Sequence, residues 1–180
     1  ISLVHFTINI LMKRLILFFT FAFLLLSSFA QSYDPTKVNK KTQQLYEQAI
    51  TRAQEGNYAN AVGLLKQCIE QDNKYLDAYL SLAGVFGQLK SHQESVNYYE
   101  KSFAMDSVYS NEYKLPYSIN LAGLGNFEKA LSTIQSLLNS PKLNVNTKKA
   151  AEFRKLSYEF GVAYEKKNAN KGYVFAPKNA

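Results

Sequence analysis

The stretch GNYANAVGLLKQCIEQD, from Gly56 to Asp72, is written a second time from Gly125 as GNFEKALSTIQSLLN. Both copies carry Gly-Asn, an aromatic residue, an alanine three positions further on and then an apolar pattern. This recurrence constrains the fold more than any other feature, because a chain repeats a packing code where it repeats a contact. In the first copy Ala61, Leu64, Leu65, Cys68 and Ile69 fall at i, i+3, i+4, i+7 and i+8, one face of an amphipathic helix. Moving 34 positions along gives Ser95, Tyr98, Tyr99, Ser102 and Phe103; the copy that opens at Gly125 gives Ala130, Thr133, Ile134, Leu137 and Leu138. Small, bulky, then small or apolar recurs three times.

Each of these helices has its own start signal. Asn57 and Asn126 precede the aromatic residues, and Ser91 with Glu94 reads as a capping box. Gly56 and Gly125 fit the end of a preceding helix, where a left-handed backbone is inexpensive only for glycine. Such preceding helices are present. The second copy has LDAYLSLAGVFGQLK, with Tyr79, Leu82, Ala83 and Phe86 on one stripe. The first has Leu45, Ala49 and Ile50, and the third has Tyr117, Ile119 and Leu121. Arg52 stands where the first copy would otherwise place an apolar residue. Pro116 lies inside the first helix of the third copy, which predicts a kink or a late helix start near Leu115.

Two helices in about 34 residues, with small residues where neighbours approach, resembles the tetratricopeptide repeat family over residues 42–141. The resemblance implies an all-α, right-handed α-solenoid of three helical hairpins. Its packing positions are Ala61, Leu65, Cys68, Ala83, Ser95, Tyr99, Ser102, Ala130 and Ile134. Residues 31–41 read as a linker or the start of the first helix. Residues 142–168 read as a capping helix started by Asn146, with Phe153, Leu156, Phe160 and Tyr164 along one face, because a terminal repeat must hide its last apolar surface. The polar tail 169–180 reads as a linker to a missing downstream domain.

The N-terminus carries a different kind of signal. From Met12, Lys13-Arg14 is followed by twelve residues, Leu15 to Leu26, that are apolar except for Thr20, and then by Ser28-Phe29-Ala30. That is the pattern of a secretory signal peptide cut after Ala30, with residues 1–11 ahead of the expected natural start. A spanning helix needs about 20 apolar residues, so membrane contact is expected only through this segment before cleavage. No cysteine follows the apolar run to anchor a lipid. The expected location is the periplasm, in association with the outer membrane.

Chemistry is sparse. The single cysteine, Cys68, allows no internal disulfide and sits in an apolar helical pattern. Of two histidines, His5 lies before the cleavage site and His92 takes the position of Tyr58 and Phe127 in the other copies, which suits packing. Glu47 and Glu55, like Glu94 and Glu100, read as surface charge. No catalytic constellation, metal-ligand spacing or phosphate loop is present, so neither an enzyme nor a cofactor is expected. The formal charge of +7 falls to +5 without Lys13 and Arg14 (19 basic minus 14 acidic), and the basic residues are scattered among acids, which excludes a nucleic-acid surface.

Binding remains. Members of the family take a peptide along the groove of their first helices, and some clamp a carboxylate there. The matching positions are Tyr46, Ile50, Ser81, Glu112 and Pro116, so the clamp is absent. By family register the groove is lined by Tyr46, Ile50, Leu80, Leu115 and Ile119, an apolar surface for an envelope protein or peptide. The organisation, ending in VFAPKNA, also resembles Gram-negative envelope proteins in which such repeats precede a WD-type β-propeller and an OmpA-like peptidoglycan-binding domain, some of them serving type IX secretion. In that reading peptidoglycan is reached only through the missing domain. The function expected is a non-catalytic interaction scaffold; the alternative is an outer-membrane glycan-capture protein, which would want a tryptophan that this chain lacks.

Overall fold

The structure, a computed structural model, describes residues 32–169. The expected signal peptide and most of the C-terminal tail lie outside the described residues. Those from Ser32 onward belong to a compact unit of their own. Among the described residues there are seven α-helices and no strands. They are α1 (Lys40–Gln54), α2 (Tyr58–Gln71), α3 (Leu76–Gln88), α4 (His92–Met105), α5 (Lys114–Gly123), α6 (Phe127–Leu138) and α7 (Val145–Asn168). Helices α1/α2, α3/α4 and α5/α6 pack as hairpins, each hairpin packs on the next through α2/α3 and α4/α5, and α7 closes the stack against α6. The fold is an all-α solenoid with a terminal helix.

The hairpin turns follow from backbone sterics. Gly56 and Gly125 take φ of 77° and 78°, a left-handed conformation that costs a residue with a Cβ about 1–2 kcal/mol. Lys90 occupies the same place in the second hairpin at φ 60°, so that turn carries the cost. The asparagines at the next starts act as caps: Asn57 accepts from the Asn60 amide at 3.4 Å and Asn126 from the Lys129 amide at 3.3 Å. Ser91 holds the equivalent position but makes no capping bond through its side chain, so the capping box expected there is not formed. Pro116 is the third residue of α5, where its missing N–H would have no intrahelical partner in any case. A 3-10 turn at Asn111–Tyr113 leads into that late start.

Inside the stack, Ala61, Ser95 and Ala130 are fully buried, as are Leu65, Cys68, Ala83, Ser102 and Ile134, and Tyr99 nearly so. Ser95 is tolerated because its hydroxyl donates to the Ala83 carbonyl at 2.8 Å, joining α4 to α3. The core divides into two clusters. One is centred on Leu65, Cys68, Tyr75 and Leu82, the other on Leu76, Tyr99, Leu121 and Ile134. Tyr98 and Tyr33 pack against both.

The last helix departs from expectation. Its N-cap is Asn144, which accepts from the Thr147 amide at 2.8 Å, and not Asn146. It buries Ala151, Tyr158 and Gly161, while Phe153, Leu156, Phe160 and Tyr164 face outward. Proximity decides this. The Phe127 ring of α6 lies so near that a Cβ at Gly161 would stand 2.6 Å from it, so at that point only glycine lets α7 approach.

Ala130→Leu should overpack the α5/α6 hairpin and cost about 1–3 kcal/mol. Chemical denaturation reads this as a lowered midpoint with an unchanged slope.

Candidate binding face

The first helices of the hairpins, α1, α3 and α5, touch one another in succession. Between α1 and α3 lies a cleft of about 470 Å³, lined by Ile50, Ala53, Tyr58, Ser81, Val85 and Gln88 among others. Gly84 also lines it. Amphipathic patterning turns the other sides of these helices into the core, which leaves this strip for contact.

The structure distributes the expected groove residues unequally. Leu80 is 1% exposed and belongs to the core around Tyr99; it is not a groove residue. The reason is the pitch of α3, which buries Leu76, Leu80 and Ala83 on one side and Ala78, Leu82 and Val85 on another. Leu115 is half-buried against the same cluster as Leu80. Tyr46 packs its ring on Tyr75, centroids 5.1 Å apart, and its hydroxyl lies 2.8 Å from Ser81 Oγ. Ile50 and Ile119 are half-buried. The face is therefore mixed, with two aliphatic side chains set among hydroxyls and amides.

Beside the cleft lies a polar centre that the sequence did not announce. Asp77, in the first turn of α3, accepts from the Tyr33 hydroxyl at 3.0 Å and from the Tyr109 hydroxyl at 2.7 Å. A carboxylate is favoured at a helix N-terminus. The two rings meet edge to face at 4.9 Å. Burial first, then the Asp77 carboxylate, push both phenols well above their ordinary value. Asp106, at the end of α4, accepts from the amides of Tyr33 (2.9 Å), Val108 (3.0 Å) and Tyr109 (2.9 Å). The segment before α1 is thus strapped across the second hairpin. Its return is secured by Asp34 capping a 3-10 turn at Pro35–Lys37 and by buried Val38. These partners are far apart in sequence. The only local trace is Asp106 preceding Val108 and Tyr109, the spacing of an Asx turn.

The other candidate groups have structural surroundings. Cys68 is buried, its thiol is pushed up to about 11 by burial, and it points to the Thr42 carbonyl at 3.8 Å. Such a thiol is a poor nucleophile at neutral pH. His92 Nδ1 lies 2.9 Å from Asn120 Oδ1, with its ring against Gly123. Glu100 ties three helices together: Lys129 of α6 donates to it at 2.6 Å and Tyr117 of α5 at 2.8 Å. The Lys129 bond first, then Tyr117, hold its carboxyl below the usual range. Among the described residues no group of His, Cys, Asp or Glu is placed to hold a metal, and no helix is long and apolar enough to cross a membrane.

Solved structures place this architecture. The fold is that of tetratricopeptide-like helical repeats. The chain is similar to yeast Tom70 (18% identity, TM-score 0.59), over 72% of this chain and 26% of that one. The chain thus spans about a quarter of the length of that Tom70 structure. It is similar to the Yersinia enterocolitica type III secretion chaperone SycD, solved with a peptide of the translocator YopD (18% identity, TM-score 0.60), over 72% of this chain and 98% of that one. MamA is a third (16% identity, TM-score 0.54), over 76% and 79%. No protein-family model matches the sequence, and no curated protein does.

The three amides on Asp106 favour its ionised form, and the Tyr109 bond is the largest contributor, so its folded value lies below the ordinary 3.8. A depressed carboxylate contributes stability that is complete above its unfolded value and drains as pH falls through the folded one. Protection of the Tyr33 amide from hydrogen exchange should therefore be present at neutral pH and vanish below the ordinary aspartate range. In Asp106→Ala it should already be absent at neutral pH.

Proposed function

We propose that this chain is a non-catalytic protein-interaction module of the bacterial envelope, taking an extended or helical segment of another protein along the face of α1, α3 and α5. The observation that carries this reading is the α1/α3 cleft. It is open, it keeps Ile50 only half-buried, and it borders hydroxyls and amides that can meet a peptide backbone. Every buried side-chain polar atom of the described residues already has a partner. That SycD was solved with a translocator peptide supports a peptide as the kind of ligand. The reading extends to export, on the strength of the Lys13-Arg14, Leu15–Leu26 and Ser28-Phe29-Ala30 pattern. It extends also to a place beside the outer membrane, within a larger protein whose further domains reach peptidoglycan.

Burying a partner's apolar residue against Ile50 gains about 25 cal/mol per Å² of apolar area before ordering costs. Ile50→Glu should reduce capture of an envelope partner by in-cell crosslinking at least about tenfold, with helical content and melting retained, since the side chain is not part of the core. Lys66→Glu, exposed on the second helix α2, should capture as wild type does. Equal capture by both variants would place the partner elsewhere.

Export is tested separately. Protein recovered from the periplasmic fraction should have an intact mass that begins at Gln31; an unprocessed chain extracted with membranes would reject the signal-peptide reading.

A further inference from the structure

Helix α7 has 24 residues where α6 has 12, and it turns Ala151, Tyr158 and Gly161 inward. Phe153 and Leu156 are each 66% exposed and Phe160 is 73% exposed. Together with Lys149 and Ala163 they follow a four-three-four-three spacing. That is the seam of a helix pair, and scattered surface hydrophobes do not produce it. Its geometry calls for another helix of several turns.

We propose that the seam is a self-association surface through which two copies of this chain pair by antiparallel α7 helices. Three observations select a second copy as the occupant. The first is size. With the two-fold axis near position 158, Phe153 of one copy meets the small Ala163 of the other, and Leu156 meets Phe160, so each phenylalanine faces a smaller side chain. The second is charge. Glu152 on the rim of one copy faces Lys166 of the other. Among the described residues Lys166 pairs with Glu128, at 3.8 Å and with both side chains 72% exposed, a weak competitor. Glu159 meets its counterpart near the axis, and Lys155 at 3.5 Å offsets that repulsion. The third is area. The three large side chains expose roughly 400 Å² per copy, taking about 200 Å² for a whole side chain. Both copies with their rims then bury on the order of 1,200 Å², the lower end for a specific dimer. The pairing is accordingly concentration-dependent and not obligate.

Sedimentation equilibrium of the Ser32–Ala180 unit, which contains both core clusters, tests this. A monomer–dimer equilibrium with Kd of about 10–100 µM is expected. Phe160→Glu should raise Kd at least about tenfold without moving the melting temperature, because that side chain stands clear of the core. Leu156→Glu should do the same, which guards against an effect peculiar to one site. Glu152→Lys should weaken pairing severalfold, and adding Lys166→Glu should restore it. A unit that stays monomeric up to about 1 mM overturns the proposal and leaves the seam to a different protein or domain. So does a dimer that Phe160→Glu leaves intact, or a charge swap that fails to restore pairing.

Discussion

Everything in this molecule depends on the close approach of paired helices. A single amphipathic hairpin cannot cover its own apolar stripe. At Ala61, Ser95 and Ala130 no side chain larger than a methyl or hydroxymethyl separates one backbone from the next, and all three are fully buried. Because the helices come that close, Leu65, Tyr99 and Ile134 fill the space beside them. The two core clusters are then joined by Tyr98 and by the incoming Tyr33. Stability of each hairpin is shared with its neighbour, so a change at one repeat boundary is felt by the stack.

The same approach leaves two kinds of surface, and they differ in chemistry. The face of α1, α3 and α5 is a mixed strip in which Ile50 and Ile119 sit among hydroxyls and amides, next to a carboxylate that holds two phenols. The seam on α7 is apolar and regular in spacing. A mixed cleft suits a peptide whose backbone needs partners as well as contact. A regular apolar seam suits a helix. In the proposed reading, a chain that carries both surfaces would hold one partner along its side while meeting a second copy at its end.

Tyrosine supplies most of the large polar-tipped rings of this fold. The chain has 13 tyrosines and no tryptophan. Tyr99 is buried among Phe103, Tyr113 and Tyr117. Tyr117 reaches Glu100, and Tyr33 and Tyr109 reach Asp77. A phenol buries a large ring yet ends in a group that finds an acceptor. Two phenols thus reach the carboxylate of Asp77, and a phenol together with Lys129 reaches the exposed Glu100.

The repeat, its helical period, the glycine turns and the small-residue positions were legible in the sequence by itself. They are local or periodic quantities, set by backbone sterics at Gly56 and Gly125 and by the spacing of Ala61, Leu65 and Cys68. Three things were decided only by tertiary structure. Leu80 reads as a groove residue from register, yet the pitch of α3 and the closeness of α4 and α5 turn it into the core. Phe153, Leu156 and Phe160 read as the buried face of the last helix by hydrophobicity. The Phe127 ring leaves no room for a side chain at Gly161, and the face turned inward is Ala151, Tyr158 and Gly161, so packing distance overrode the hydrophobic count. Tyr33, Asp77 and the Asp106–Tyr109 turn converge from three separate segments, and no pattern within one element records which carboxylate a distant phenol will meet. Periodicity specifies which residues share a face of a helix, but the distance to the neighbouring backbone determines which face is used.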